Sequence, residues 1–512
     1  MNLSLSTGPV WDRICRMKHP LLFLLIVGLI IRLIITTIVV QYDADYWARV
    51  IRNLRVDEGL YNMEGFYYTP VWGYLLSFIN QLQCVFLDLG EYGVRVTEAI
   101  FVEYIPTFYM SANIPSLAFN FSVRIPLIIA DVLLSLAVYW LIRDITNDKK
   151  KSLLAFLLTF MSVHLAGCTC MTGMPDTFTA LFMVLTIIFM RRESNLLAGV
   201  MFALSALTKF FPIFLLFILC AYILNRYRGH GNKGIVELSK AICGATITSV
   251  LVYLPILMEG NAERSLAFIM DRASDIGEMV SEHTALLIVG GVALMALILL
   301  YSLYMKRTRR NVFNLRILSY MAVLAPVAIM AGGIIIGGMD GLFGTGRIAL
   351  YLAAILLSLI LGVAIYRDKD KISDEKLIWN CCLIIGFCML YPPAPQYVVT
   401  LVPLIACYLA LKGGNLVPWA TLAIAGILFI PVTNGLMLMT LAEWTSLISI
   451  DTAVAIMEFY QTSVGGTSVM MFQYILGGGL QYIALLMIFV SLVKDDWMHG
   501  LIMTVSSRVR HL

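Results

Sequence analysis

Runs of apolar residues, each judged against the ~20 needed to cross a bilayer, alternate with short polar stretches along almost the whole chain. About fourteen segments read as membrane helices: 20–40, 124–142, 152–170, 176–191, 195–208, 211–225, 236–258, 284–304, 316–337, 347–366, 377–391, 398–411, 417–435 and 470–492. Several are short, and 195–225 reads as a tight or re-entrant hairpin. The pattern predicts an all-α polytopic membrane protein, residues 1–512 forming a single integral membrane domain. No heptad, 20–50-residue repeat or low-complexity tract interrupts it. One run does not fit the alternation. Residues 69–89 are apolar enough to cross, but a crossing there would turn every later basic loop outward. Residues 41–123 are therefore read as one long external loop carrying surface helices. The first of these is amphipathic, with Trp47, Val50, Ile51 and Leu54 at i, i+3, i+4 and i+7, and Asp45, Arg49 and Arg52 along another stripe.

The composition agrees with lipid as the main solvent: of 512 residues, 60% are hydrophobic and 13% charged, against about a quarter charged in soluble domains. The net charge of +4 matters less than its distribution. With residues 1–19 and 493–512 cytoplasmic, about 26 of the 36 Lys and Arg residues fall in inner loops, as the positive-inside rule requires. The basic segment Arg13–Lys18 and the long run after it read as a retained anchor. Ten scattered cysteines read as small core residues; Cys168-Thr-Cys170 has no second ligand pair nearby to make a metal site.

About ten cations violate the topological bias, among them Arg32, Arg124, Lys209 and Arg347. Arg32 lies inside the first span and requires a partner. Lys209, between two apolar segments at the outer side, is a poor place for a merely solvated lysine. Arg124 and Arg347 each open a span from outside, where snorkelling to headgroups competes with a functional role. Asp131 reads as the partner of a neighbouring cation or backbone donor. Asp176, at the start of a span, is a helix N-cap or a functional acid. At 41–47, Asp43 suits an N-cap and Asp45 a first-turn position beside Arg49, with a functional role open for Asp45.

No Walker loop, dinucleotide fingerprint, zinc-protease motif or nucleophile elbow is present; Gly337–Arg347 reads as a glycine-rich turn. Carboxylates, misplaced cations and aromatics on one face fit an enzyme acting on a lipid phosphate. They also fit, less well, a secondary transporter or flippase of a lipid-linked or anionic substrate, in which charges usually gather near the midplane.

The order of motifs resembles the GT-C superfamily of membrane glycosyltransferases. "DYWARVIRNLRVDEGLYNMEGFYYTPVWGYLL" (45–76) is similar to the first-loop pattern of glycosyltransferase family 87 and related polyprenol-phosphate-mannose-dependent mannosyltransferases. "RIPLIIADVLLSLAVYWLIRD", "GMPDTFTALFMVLTIIF", "LLAGVMFALSALTKFFP" and "YPPAPQYVVTLVPL" follow in the family's order, with Met174 where Gln is usual. The resemblance implies a GT-C-like bundle and an inverting transfer, with mannose the expected sugar, from a polyprenyl-phosphate donor to a lipid or glycan acceptor. The active site would face outside, or the endoplasmic reticulum lumen in a eukaryote. It carries the general base over to Asp45, spaced to Gly59 as in the family, with Asp43 in reserve. Lys209 is expected at the donor phosphate, with Arg347, Arg124 and His283 as companions. Asp176, Tyr68, Gln396 and Tyr397 fall on motifs expected to contact substrate. No cofactor is expected; a divalent cation at Asp43 and Asp45 is the alternative that a phosphate leaving group paired with Lys or Arg does not require. The protein is expected to be a monomer among membrane lipids, with no nucleic-acid partner.

Overall fold

The computed structural model describes residues 9–55, 60–62, 66, 68–86, 100–104, 108–112, 117–260, 347–368, 370–390, 394–413, 416–432, 435–437 and 467–509, with short pieces at 447–449, 451–452, 455–456 and 463–464. Spans 284–304 and 316–337, His283 and Gly337–Gly346 lie outside them, as do the side chains of Asp45 and Arg347.

The bundle is helical. An N-terminal helix, α1 (Pro9–Arg16), precedes α2 (Pro20–Ile38), whose Pro20 suits a first-turn position that needs no donor. The external loop contributes α3 (Tyr42–Arg55) and α4 (Pro70–Phe86). Then follow α5 (Leu117–Thr146), α6 (Lys149–Phe160), α7 (Val163–Gly167), α8 (Asp176–Arg191), α9 (Asn195–Ala206), α10 (Leu216–Arg226) and α11 (Lys233–Met258). Beyond the undescribed stretch come α12 (Arg347–Arg367), α13 (Asp374–Cys388), α14 (Val402–Lys412), α15 (Val417–Phe429) and α16 (Val469–Val509). Among the described residues five helices are long and apolar enough to cross a membrane, or six if Lys149–Phe160 and Val163–Thr172, bent by 41°, make one span.

Every described span expected from the sequence has a helix at its place, with shifted ends. The largest shift of a start is at α5, which begins seven residues before 124, and the last helix runs on to Val509, past the expected end at 492. Phe119 and Val123 extend it because they bury against Trp47, Trp72 and Leu76 of α3 and α4. The α3 pattern is as expected: Trp47, Val50 and Ile51 are buried and Leu54 packs on the same cluster, while Arg49 is exposed.

Among the described residues, three two-stranded antiparallel ribbons lie outside the helices. β1 (Val39–Gln41) pairs with β4 (Gly435–Met437), and β2 (Ile100–Tyr104) with β3 (Phe108–Ala112). β5 (Ser463–Val464) pairs with β6 (Thr467–Ser468). The β1–β4 ribbon ties a late loop to the strand that leads directly into α3.

Residues 195–225 form the expected hairpin, built of two short helices, α9 and α10. At one end Lys209 bonds Asp176, the first residue of α8. At the other, Arg226 bonds the Arg191 carbonyl and Glu193, just past the last residue of α8. Both arms thus run the full length of α8, whose 16 residues span about 24 Å. Short α9 reaches that far because Leu207–Lys209 extend it.

Candidate active site

The chain between α7 and α8 is irregular. A π-turn at Cys168–Thr172 ends on Gly173, whose φ of +67° is left-handed, a conformation that costs a residue with a Cβ. Met174 and Pro175 follow, and α8 starts at Asp176 with Pro175 in the cap position and no side-chain cap. Asp176 is therefore not the N-cap. Its carboxylate, at the positive end of α8, is fully buried and accepts both bonds from Lys209: Nζ to Oδ1 at 2.8 Å and to Oδ2 at 2.7 Å.

Lys209 is held where α9 has ended and the 3₁₀ turn Phe211–Leu215 has not begun. Its ammonium sits 4.6 Å from the centroid of Tyr397, a favourable cation–π distance. Tyr397 lies in the 3₁₀ turn Pro395–Thr400, with half-buried Gln396 beside it. The first loop closes on the same place. Thr69 donates to the Thr208 carbonyl at 3.1 Å, and the Tyr68 hydroxyl meets Met174 Sδ at 3.6 Å. Desolvation, and then the charges of Asp43 and Asp176, push the Tyr68 phenol well above its ordinary pKa. Tyr68 is thus a neutral donor at any physiological pH.

Asp43 stands one helical turn before Trp47 on α3. Because α3 starts at Tyr42, Asp43 is a first-turn residue and not the expected N-cap. The acid is half-buried and within electrostatic reach of Tyr68 and Arg124.

Arg124 neither opens a span nor snorkels to headgroups. It sits inside α5, fully buried, and donates from Nε to the Cys170 carbonyl at 2.6 Å and from NH2 to that of Met171 at 2.7 Å. The π-turn leaves those carbonyls without regular helical partners, and a buried guanidinium satisfies them. A donor phosphate could be reached only by the third nitrogen, whose bond to the Asn120 carbonyl is long at 3.4 Å.

Arg32 and Asp131 form the buried pair that each was expected to need, Nε to Oδ2 at 2.7 Å. Thr169 and Thr177 both donate to Asp131 Oδ1 at 2.9 Å, so this acid is fully engaged in structure.

Trp47 and Trp72 were not singled out as polar groups. Their rings meet edge to face at 5.4 Å, Trp47 also meets Tyr68 at 5.1 Å, and both indole N–H groups are buried without a partner among the described residues. A side chain built on Gly173 would meet Arg124 Cζ at 3.7 Å and Trp47 Nε1 at 3.8 Å. An unpaired donor costs stability, but in the sequence these residues match an ordinary apolar stripe. Among the described residues no group of three or more His, Cys, Asp or Glu side chains is placed to hold a metal.

The structure thus gathers Asp43, Tyr68, Asp176, Lys209, Gln396 and Tyr397 around one end of α8, with Arg124 clamping the turn behind them. Residues 108–257 match the model of the dolichyl-phosphate-mannose-protein mannosyltransferase family. The chain is similar to GT-C membrane glycosyltransferases. The matched part holds Arg124, Gly173, Asp176 and Lys209, but neither the α3 carboxylates nor Tyr397. No curated protein is significantly similar in sequence. Among solved structures, the archaeal oligosaccharyltransferase AglB from Archaeoglobus fulgidus, in complex with an inhibitory peptide and a dolichol-phosphate, aligns at 15% identity and a TM-score of 0.37. The alignment covers 91% of this chain and 55% of that one, so this chain spans little more than half the length of that protein.

Proposed function

We propose that the protein is an inverting glycosyltransferase that moves mannose from a polyprenyl-phosphate donor to a lipid- or glycan-linked acceptor at the external membrane face. The observation that carries this reading is the buried Lys209–Asp176 pair, set beneath Tyr397 and beside Tyr68, which also lies within electrostatic reach of Asp43 on α3. Nucleotide-binding motifs are absent from the sequence, in keeping with a donor drawn from the membrane.

In the proposed reaction an α3 carboxylate takes the proton of the acceptor hydroxyl as that oxygen bonds to the sugar's anomeric carbon. The bond from that carbon to the phosphate oxygen breaks, and the electron pair leaves with the polyprenyl phosphate. The leaving group gains charge as the bond breaks, so an ammonium held near it favours the transition state over the bound donor. Lys209 supplies that ammonium by trading one Asp176 oxygen for a phosphate oxygen, and no metal is needed. Asp45 is the base by its motif, with Asp43, half-buried one turn before Trp47, in reserve.

The test compares Asp45→Asn and Asp43→Asn with purified polyprenyl-phosphate-mannose, reading lipid products by mass spectrometry. Loss of the base is expected to lower turnover by ~10²–10⁴ with donor binding kept. The variant with the larger loss identifies the base. Full turnover in both variants would refute the transferase reading.

A further inference from the structure

The pole of the bundle away from Lys209 holds a separate site. An open cavity of about 560 Å³ is lined by the end of α10, the loop into α11 and the segment that enters α13. Tyr222 and Tyr227 form its aromatic wall, Lys233 and Lys371 bring cations to it, and His230 lines it with its ring nitrogen 3.1 Å from the Arg228 carbonyl. Its acids are largely engaged already: Glu193 pairs with Arg226, and Asp374 bonds Arg191 and the Tyr222 hydroxyl. The cations are not. Among the described residues Lys371 has no partner, and Lys233 makes a cation–π contact with Tyr227 at 4.9 Å and lies within electrostatic reach of Glu237, an acid already bonded to Lys240 and Asn195. Glu375 is the one lining acid without a partner among the described residues, so the uncommitted charge is net positive.

We propose that this cavity binds a net-anionic phosphate group, with Lys233 and Lys371 as its charge partners and Tyr227 as its wall. Ammonium groups are compact, freely rotating donors suited to phosphate. The cavity opens at the pole where the basic loops converge, a place that favours an acidic phospholipid headgroup or a soluble phosphate compound alike. It is about 24 Å from the Asp176–Lys209 pair along the 16 residues of α8. A molecule seated there does not occupy the proposed transferase site, and the proposal stands apart from that reading.

Full-length protein in neutral detergent is titrated separately with phosphatidylglycerol, zwitterionic phosphatidylcholine and inorganic pyrophosphate, and bound ligand is counted by native mass spectrometry. Phosphatidylglycerol or pyrophosphate should bind in preference to phosphatidylcholine. Apparent affinity should fall about tenfold or more in Lys233→Ala/Lys371→Ala, persist in Lys233→Arg/Lys371→Arg, and be unchanged in Lys412→Ala, outside the cavity. Binding of phosphatidylglycerol alone assigns a lipid headgroup; binding of pyrophosphate alone assigns a soluble phosphate. Equal binding by the wild type and the double alanine variant, or binding of neither anion, overturns the proposal. Should the double variant fail to fold, Lys371→Gln, in a segment outside any helix, carries the same comparison.

Discussion

Lys209 and Asp176 neutralise one another inside the bundle, so a donor phosphate that reaches this ammonium must compete with a carboxylate already there. Breaking a buried pair from one side costs about 3–5 kcal/mol, whereas replacing both partners is far cheaper. Lys209→Met and Asp176→Asn should each lower stability by that order in detergent unfolding, and the double variant should regain most of it. Turnover should stay low in the double variant and return in part in Lys209→Arg. Recovery of turnover together with stability would reduce the pair to a structural role. Trp47 allows the opposite separation. Its indole N–H is buried without a partner among the described residues, so Trp47→Phe removes an unsatisfied donor and keeps an aromatic ring. Stability should hold or rise by about 1 kcal/mol, while donor KM rises if that N–H addresses the sugar; an unchanged KM would leave the indole as packing alone. The sequence showed that charges inside apolar runs need partners, and for Arg32 it led to the right expectation. It could not show that Arg124 would spend its donors on carbonyls, because backbone acceptors carry no residue-type signal.

Between α7 and α8 the chain gives up regular helix to form the floor of the site. Helices were legible because twenty apolar residues in lipid have few alternatives to internal backbone hydrogen bonding. The π-turn was not, since "GCTCMTGMPD" is as apolar as its flanks and its shape depends on the Arg124 clamp. The β1–β4 ribbon was equally hidden: it joins residues nearly four hundred positions apart in sequence, and three-residue strands leave no period to read. Gly173 gives the π-turn a direct test. A Cβ there meets only ordinary contacts, 3.7–3.8 Å from Arg124 and Trp47, so Gly173→Ala should pay for the left-handed backbone alone. The expected loss is about 1–2 kcal/mol in thermal unfolding, and Gly173→Asn should lose less. A loss near zero would mean that the turn relaxes to a right-handed conformation.

The molecule has two chemically distinct poles, joined by α8, α9 and α10. One gathers Asp43, Tyr68, Asp176, Lys209 and Tyr397. At the other, segments that are distant in sequence meet through ion pairs: Lys150 with Asp12, Arg191 with Asp144 and Asp374, Arg226 with Glu193, and Lys376 with Asp368. Exposed pairs of this kind contribute little energy each, but they place four basic loops at one end without any reference to the rule that predicts it. Positive residues are retained on the cytoplasmic side, so this pole is expected inside and the candidate active site outside. Single cysteines at Lys149 and Arg309 should resist a membrane-impermeant maleimide until the cells are opened. Cysteines placed within Asp88–Ser116 and Glu259–Glu282 should react at once, each measured against the labelling of the ten native cysteines. Arg309 and most of the second external stretch lie outside the described residues, so their labelling also tests the spans between them. Reaction at position 149 from outside would invert every loop. It would put the Lys209 pole in the cytoplasm, where an external acceptor could not reach it.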